Sequence, residues 1–335
     1  MAQQINFYKK NSLFSLLLMA ILGTSCSKDE NKLSDYDNNK INLVVADNFN
    51  LSAFSAALKR SGLDKDLQEG AGPYTILAPS DGAFSLAGYA NPVSVLTANP
   101  TIISRIAQYH TLDGKYELNK LPYLFNQELR SRGGKLYATH WIKGKDTVLT
   151  INGSRILAQN IPASNGLIQV INRVLTPYLH NLLVDAISAE SDITLFTQAL
   201  KSSGLLQTIS ENGPYTVFAP SNQAMQAMGY SSVAQINETD KEVLKRLVNY
   251  HIVKDRRFIY DYILSTGSTN TSRQAMLDGN SVSVMLTPDP SAPGSFNGIT
   301  LKGIGNTTNV KLVKQDILAG NGVLHIIDGV LRITQ

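Results

Sequence analysis

The sequence predicts an α+β protein built from two tandem copies of one module. A nine-residue block at 72–80 returns at 213–221, and a Tyr-His pair at 109–110 returns at 250–251, both displaced by 141 residues. A fixed displacement over this length indicates that one folded unit occurs twice. Within each copy the apolar pattern changes from helical spacing to strand-like alternation. Helices early and strands late predict that each module is a β-sandwich or wedge with helices packed at one side.

Each copy opens with an amphipathic helix. Leu51, Phe54 and Leu58 recur at helical spacing, and the counterpart covers residues 196–200. A Ser-Gly pair follows each helix, and glycine is a common stop at a helix C-terminus. We therefore expect the first helix of each module to end at this pair.

A short strand and a short helix come next. Apolar residues at 74–78 and 215–219 predict strands, and a proline ends each of them. Ser80 and Ser221, or the residue after each, are placed to cap the helix that follows. This order predicts that both modules begin as helix, strand and helix.

The next long helix of each copy carries a histidine. Ile103, Ile106 and His110 lie on one apolar stripe, and the second copy repeats the pattern up to His251. A buried polar group left unpaired costs about 1–3 kcal/mol. We therefore expect both histidines to be buried and to bond to the backbone through their ring nitrogens.

Strands fill the second half of each copy. Alternating apolar residues at 147–151 and 281–286 are followed by near-continuous apolar runs at 166–171 and 322–327. The closing runs are displaced by 156 residues, so the second copy carries 15 additional residues. We assign these to a loop insertion near 287–297, because that stretch is rich in Pro and Gly.

These blocks together resemble the fasciclin domain. Three blocks occur in family order in both copies: a run of Thr, two hydrophobic residues and Ala-Pro-Ser, the Tyr-His pair, and the apolar closing run. The closing runs differ at one polar position, where Gln169 of the first copy stands in place of His325. The resemblance divides the chain into a first fasciclin domain at 41–178 and a second at 179–335. It implies extracellular adhesion or ligand binding without a general catalytic activity.

The N-terminus has the architecture of a secretory signal. Two lysines precede an apolar run at 13–22, and small residues lead to Cys26, the single cysteine of the chain. This arrangement resembles a bacterial lipoprotein signal, which implies a signal peptide at 1–25, a lipid anchor on Cys26 and a flexible tether at 26–40. Gly23 stands where the lipoprotein pattern usually has Leu, so ordinary secretion is the alternative.

The residues after the cysteine bear on localisation. The Ser-Lys-Asp-Glu run at 27–30 resembles a short tag that directs lipoproteins to the outer face of the outer membrane. It implies a surface-exposed outer-membrane lipoprotein, with a periplasm-facing or secreted protein as the alternatives. The formal net charge is +4, without a dense basic stripe, so nucleic-acid binding is not indicated. We expect contact with the membrane through the N-terminal lipid only.

Motifs of common enzymes and metal sites are absent from the sequence. It has no Gly-x-Ser-x-Gly elbow and no His-Glu-x-x-His pair, and its single cysteine lies at the signal boundary. Its five histidines lack the spacing of metal ligands. We therefore predict a non-catalytic protein without a metal or cofactor.

Two residue pairs in the second copy are candidates for partner binding. The fasciclin resemblance implies a role in adhesion for the Tyr-His region, here Tyr250 and His251, and for an Asp-Ile motif, here Asp316 and Ile317. An Asp beside a branched apolar residue on an exposed loop offers a charge and a hydrophobic anchor. The alternative is that the carboxylate only orders the turn before the closing strand.

The leading functional hypothesis is adhesion or protein interaction at the cell surface. One alternative is an accessory lipoprotein of an outer-membrane uptake system that binds a glycan or a small apolar ligand, and another is an architectural spacer. Trp141 is the candidate for stacking on a sugar ring, whereas Tyr260 and Tyr262 alternate like strand residues and are expected to pack. The expected partner is therefore a protein or a glycan at the cell surface.

Overall fold

A computed structural model describes residues 39–211 and 213–334. The predicted signal peptide, Cys26 and nearly all of the predicted tether lie outside the described residues. The described chain forms two consecutive modules, each with a mixed sheet of seven strands and a set of helices. The prediction of two α+β modules in tandem is confirmed.

The first module begins with helices and ends with strands. Its helices are α1 (Ile41–Ala46), α2 (Ser52–Ser61), α3 (Leu63–Glu69), α4 (Asp81–Leu86), α5 (Pro92–Thr97) and α6 (Pro100–Tyr109). Its strands are β1 (Tyr74–Pro79), β2 (Thr111–Asp113), β3 (Gln127–Ser131), β4 (Gly134–Lys143), β5 (Asp146–Ile151), β6 (Ser154–Ala163) and β7 (Gly166–Ile171). Single turns of 3₁₀ helix lie at Phe49–Leu51 and Leu118–Lys120.

The second module repeats this order and adds one helix. Its helices are α7 (Leu183–Ala189), α8 (Thr194–Ser202), α9 (Leu206–Glu211), α10 (Asn222–Ala227), α11 (Val233–Glu238), α12 (Lys241–Asn249) and α13 (Ile259–Ser265). Its strands are β8 (Tyr215–Pro220), β9 (Ile252–Val253), β10 (Thr271–Ala275), β11 (Ser281–Pro288), β12 (Phe296–Lys302), β13 (Val310–Ala319) and β14 (Gly322–Ile327). A 3₁₀ turn at Ser191–Ile193 precedes α8.

The closing strand pairs with the first strand in both sheets. The strand order is β2-β1-β7-β6-β5-β4-β3 in the first module and β9-β8-β14-β13-β12-β11-β10 in the second. β1 runs parallel to β7 with Tyr74 opposite Gly166, and β8 runs parallel to β14 with Tyr215 opposite Gly322. The other neighbours are antiparallel. All six residues of each closing strand are buried, as the continuous apolar runs predict.

The repeated Ala-Pro-Ser block joins two helices in each module. The hydroxyl of Ser80 accepts a bond from the backbone N–H of the third residue of α4, and Ser221 caps α10 in the same way. Asp81, the next residue, bonds to a different helix. Its carboxylate accepts the N–H of Ala53 in α2 at 2.8 Å. Asn222 makes the matching bond to the start of α8 at 2.9 Å. The block therefore fixes the position of one helix against another.

Each Tyr-His pair fastens a helix end to the tail that follows the closing strand. His110 donates through Nδ1 to the carbonyl of Ile106 at 2.7 Å, and its Nε2 accepts the N–H of Leu175 at 3.0 Å. His251 makes the equivalent bonds to Leu247 and Leu331. Burial lowers the pKa of each histidine to about 4. Both rings are therefore neutral and act within the fold, as the apolar helix face predicts.

Each module contains two apolar cores, one on either side of its closing strand. In the first module, Phe54 and Phe84 on helices pack against Ile168 of β7. On the opposite side, Tyr109 packs in a second cluster with Ile171. The second module has the same two-sided arrangement about β14. The sheet is thus covered on both faces, which is the sandwich-like packing expected from the sequence.

The two central tyrosines of the second module lie on a helix and not on a strand. Tyr260 and Tyr262 belong to α13, although their alternation in sequence is typical of a strand. The carboxylate of Asp261 accepts the N–H of Phe258 at 2.9 Å, and this bond holds the first turn of the helix. The strand expectation for these tyrosines was therefore wrong, although both rings do pack against the core.

The additional residues of the second module are spread over more than one connection. The turn between β11 and β12 covers 289–295, whereas the turn between β4 and β5 covers only 144–145. The connection from β12 to β13 covers 303–309, in place of 152–153 in the first module. The Pro-rich stretch forms the tip of a long hairpin, and a second loop lies at the start of β13.

Candidate functional site: the cleft between the modules

The two modules meet in an apolar cluster within one folded unit. Tyr137 of β4 packs with Phe258 and with Val323 of β14, and all three are buried. Gly153, at the turn before β6, lies so close to Phe258 that an added Cβ would fall 2.8 Å from the phenylalanine Cβ. Only a residue without a side chain fits at this position without a shift.

A buried arginine crosses this cluster. The guanidinium of Arg256 lies 3.7 Å from the centre of the Tyr137 ring. Its nitrogens donate to the carbonyl oxygens of Ala319, Gly320 and Gly322 at 2.9–3.3 Å. Burial lowers the pKa of this arginine from its ordinary value. An aromatic face and three carbonyl dipoles therefore stabilise a cation that water does not reach.

A buried carboxylate forms a second link between the modules. Asp261 of α13 is fully buried and accepts hydrogen bonds from Asn126 at 3.1 Å and Thr139 at 3.0 Å, both of the first module. It also accepts the N–H of Phe258. Burial raises the pKa of Asp261 to about 6, although these donors and nearby Arg257 act in the opposite direction. The charged form is thus costly at this interface.

The predicted Asp-Ile motif lies at the third link. Asp316 accepts two hydrogen bonds at 3.1 Å from the guanidinium of Arg173, which precedes the inter-module linker. Its other oxygen accepts the N–H of Ile259 at the start of α13, at 2.8 Å. The Asp316 side chain is only 8% exposed. Asp316 lies in a bulge of β13, and not on an open loop, because the pairing of β13 with β14 shifts register between Lys314 and Ile317. Its backbone has a φ of 59°.

A histidine behind this bulge explains why the two copies differ there. The N–H of Asp316 donates to Nδ1 of His325 at 3.0 Å, and Nε2 of the same ring donates to the carbonyl of Arg257 at 2.9 Å. In the first module the side chain of Gln169 accepts the N–H of Asn160 at 2.9 Å, which is equivalent to the bond from the Asp316 N–H to His325. Burial lowers the pKa of His325. The exchange of His for Gln therefore preserves the bulge, and the carboxylate is specific to the second module.

The Arg173–Asp316 pair separates two cavities in the cleft. The large cavity, of about 550 Å³, is lined by residues 173–180, which lead from the first module into the linker, by Ala186 and Ala189 of α7, and by 314–318 of β13. The small cavity, of about 200 Å³, lies on the side of α13 and of the β11–β12 hairpin. Both cavities include Arg173 and Asp316 in their walls. The two modules thus share one composite cleft.

The large cavity combines an apolar wall with a charged rim. Ile317 is half-buried in the wall, and Leu179 of the linker is 69% exposed. At the rim Lys314 pairs with Glu190 at 2.8 Å. Because the charges at the rim are already paired, the exposed apolar side chains are the main surface of the large cavity that a partner could cover.

The remaining predicted site residues lie away from the cavities. Tyr250 and His251 are fully buried, and the Tyr250 hydroxyl donates to the carbonyl of Ser281 at 3.0 Å. Trp141 is partly exposed on β4, and its ring centre lies 4.3 Å from that of Phe125. The structure therefore brings Asp316 and Ile317 into the cleft and does not join Tyr250, His251 or Trp141 to them.

Three residues that build the cleft, namely Arg173, Arg256 and Asp261, are not indicated by any sequence motif. Each of them acts across the module boundary, and a comparison of the two copies does not show which residues face each other there. Within 39–211 and 213–334, no three His, Cys, Asp or Glu side chains lie close enough together to hold a metal ion. None of the helices in those ranges is long and apolar enough to cross a bilayer.

Comparison with known proteins places this architecture in a family. The sequence profile of the fasciclin domain matches residues 49–177 and 191–333. Human periostin is 30% identical over 271 residues, which cover 78% of this chain and 29% of periostin. Transforming growth factor-beta-induced protein ig-h3 of Sus scrofa is 27% identical, covering 78% of this chain and 35% of its own length. Fasciclin-1 of Drosophila melanogaster is 25% identical, covering 87% and 46%.

The chain spans less than half the length of each of these relatives. Among solved structures, the FAS1 domain pair of the insect cell adhesion molecule fasciclin I is 17% identical, with a TM-score of 0.41, covering 84% of this chain and 95% of that pair. The two profile matches coincide with the two seven-stranded modules. This chain belongs to the fasciclin domain family and contains two fasciclin domains in tandem.

Proposed function

We propose that this chain is a non-catalytic adhesion or protein-interaction protein of the cell surface, and that its partner is a protein that binds the large cavity. Family membership supports the general role, because both modules match the fasciclin domain, whose resemblance implies adhesion or ligand binding. The specific site rests on one observation: the Asp316-Ile317 segment lies in a cavity wall to which both modules contribute.

The chemistry of the large cavity fits an apolar anchor from a partner protein. Exposed Leu179 and half-buried Ile317 offer an apolar contact, and hydrophobic anchors in pockets dominate protein interfaces. Asp316 supports the cavity from within, because Arg173 and the N-terminus of α13 already occupy its oxygens. We propose that Tyr250 and His251 act in adhesion indirectly, by fixing the module that carries the Asp-Ile segment.

A binding experiment with matched surface variants tests this proposal. Leu179→Ser removes an exposed apolar side chain from the cavity wall, and Leu124→Ser removes one of similar exposure from outside both cavities. Beads coated with the purified chain should adhere to cells or to captured surface proteins. We expect Leu179→Ser to reduce adhesion at least fivefold and Leu124→Ser to leave it unchanged. Equal adhesion by both variants would contradict the assignment.

We further propose that the chain is anchored by a lipid on Cys26 at the outer membrane, with its domains at the cell surface. The order of lysines, apolar run, small residues and cysteine at the N-terminus supports this. Metabolic labelling with a fatty acid should mark the wild-type chain and not Cys26→Ala. Protease added to intact cells should then remove the labelled protein. Label that persists in Cys26→Ala would refute the anchor, and complete resistance to protease would refute surface exposure.

The small-ligand alternative has a separate observation in its favour. A volume of about 550 Å³ lies within the range of about 300–1,000 Å³ that is common for small-molecule pockets. Ala186 lies in the wall of this cavity and is only 2% exposed, so a larger side chain at this position should fill part of the cavity. Hydrophobic dye fluorescence that rises with the wild-type chain and falls strongly in Ala186→Val, with unchanged circular dichroism, would support a ligand pocket. No dye binding to either chain would exclude one.

A further inference from the structure

We propose that the small cavity between the modules is a saccharide site that holds one pyranose ring of a neutral glycan. The site is independent of the adhesion partner proposed for the large cavity. It is formed by Leu86, Arg155 and Asn172 of the first module and by Tyr260, Phe296 and Asn297 of the second.

The size of the small cavity limits what it can hold. Its volume of about 200 Å³ is below the range of about 300–1,000 Å³ for pockets that enclose drug-sized ligands. A single sugar ring is an occupant of suitable size, and the open mouth of the cavity leaves room for a chain to continue into solvent. The β11–β12 hairpin, which is longer than its counterpart in the first module, supplies one wall through Phe296 and Asn297.

The apolar part of the cavity suits the C–H face of a pyranose. Tyr260 and Phe296 are both partly buried against the core of the second module, and each leaves some of its ring in the cavity wall. Leu86 faces them from the first module and is 85% exposed. Rigid aromatic rings provide contact area at a small cost in conformational entropy.

The polar groups around this wall have unused hydrogen-bonding capacity. The side-chain amides of Asn297 and Gln315 and the hydroxyl of Tyr260 make no hydrogen bond to any residue that the structure describes. The guanidinium of Arg155 lies 5.7 Å from the Tyr260 ring centre and makes no ion pair within the described ranges. Asn172 accepts two bonds through its oxygen, from Ser154 and from the Arg155 N–H, which leaves its amide N–H groups available.

This set of groups matches sugar hydroxyls, which both donate and accept. Amides offer both functions, a guanidinium only donates, and a carboxylate only accepts. The carboxylate is that of Asp289, whose pKa is lowered by hydrogen bonds from Ser291 and, to a smaller extent, by Arg155. Since Asp289 balances Arg155, and Asp316 is paired with Arg173, the cavity has no excess charge. A neutral glycan is therefore favoured over an acidic one.

A glycan array followed by calorimetry tests the site. The purified chain is applied to neutral gluco-, galacto-, manno- and xylo-oligosaccharides, and the best of them is titrated into each variant. We expect saturable binding that weakens about fivefold in Asn297→Ala and in Gln315→Ala, since one hydrogen bond contributes about 1 kcal/mol. Tyr260→Phe, which removes only the hydroxyl, should weaken binding by a similar factor.

Two control variants locate the binding. Gln159→Ala removes an exposed amide from β6, outside both cavities, and should bind like the wild type. Trp141→Ala should also retain binding, because Trp141 does not line the small cavity. Absence of saturable binding to every neutral oligosaccharide would overturn the proposal. Binding lost in Trp141→Ala but kept in Asn297→Ala would overturn it too. Leu179→Ser should leave sugar binding intact, which separates this site from the adhesion surface.

Discussion

The guanidinium of Arg256 lies 3.7 Å from the centre of the Tyr137 ring, and the two residues belong to different modules. Among the described residues, the arginine bonds to carbonyl oxygens and makes no ion pair. Removal of the ring would leave a buried cation with dipoles alone. The position of one module relative to the other thus depends on a contact that neither module can make by itself.

Replacement of Tyr137 by Leu should destabilise the protein by about 2 kcal/mol or more, because a desolvated cation–π contact is lost. Tyr137→Phe keeps the ring and loses only a long bond of 3.4 Å from the hydroxyl to Gly320, so its cost should be below about 1 kcal/mol. Urea unfolding measures both. Equal destabilisation by the two variants would show that the hydroxyl, and not the ring, carries the contact.

Replacement of Asp261 by Asn should change how stability depends on pH. The folded pKa of about 6 is above the ordinary value of 3.8, so folding favours the protonated acid. Its contribution to stability is complete below pH 3.8 and is lost as the pH rises through 6, a difference of about 3 kcal/mol. Arg257 on the same segment and the donors Asn126 and Thr139 face this carboxylate.

The measurement is the difference in unfolding free energy between the wild type and Asp261→Asn from pH 4 to pH 7. The unfolding free energy of the wild type should increase relative to that of the variant as the pH falls. The difference between the two proteins removes the contribution of histidines that both contain. A difference that stays constant over this range would mean that the carboxylate does not titrate there.

His110 and His251, the histidines of the two Tyr-His pairs, should give stability a pH dependence opposite to that of Asp261. Burial lowers the pKa of His110 and His251 to about 4, from an ordinary value of 6.5. The contribution of these histidines to stability is therefore complete above pH 6.5. It is lost as the pH falls towards 4, because the histidines of the unfolded chain take up protons first. Proton NMR of the imidazole rings should show both as neutral at pH 5. A titration midpoint at pH 6 or above for either ring would contradict their burial as neutral groups.

Much of the fold follows from the sequence because both copies carry the same local signals. Ser80 caps its helix, and the closing run at 166–171 is buried on both faces, as pattern alone predicts. The alternation of Tyr260 and Tyr262 misled because two turns of helix are too short to display a clear period. The start of the helix is held by Asp261 within it and by Asp316, which is distant in sequence from α13.

The cleft was less predictable, because its residues act across a boundary between repeats. The Asp-Ile motif indicated Asp316, but the pattern did not indicate that Arg173 of the other module would occupy the carboxylate. One signal was available: the segment 254–257, Lys-Asp-Arg-Arg, is more charged than its counterpart at 113–116. Differences between repeats, rather than their similarities, mark the surface at which the repeats meet.

The ion pair in the cleft should couple the two modules measurably. Asp316 is nearly buried and Arg173 is 34% exposed, so solvent screens the pair only in part. In a double-mutant cycle of Arg173→Ala and Asp316→Asn, we expect a coupling energy of about 1–2 kcal/mol. Asp316→Asn retains an oxygen for the Ile259 N–H, so the cycle reports the charge pair rather than the helix cap.

The coupling should decrease when urea unfolding is repeated at 1 M salt, because the Debye length falls to about 3 Å. It should also appear in adhesion, since Arg173 and Asp316 stand in the walls of both cavities. Each single variant should weaken adhesion, and the double variant should weaken it by little more than either alone. Additive losses in stability and in adhesion would mean that the two side chains act separately, and the cleft would then lack the internal support assigned to this pair.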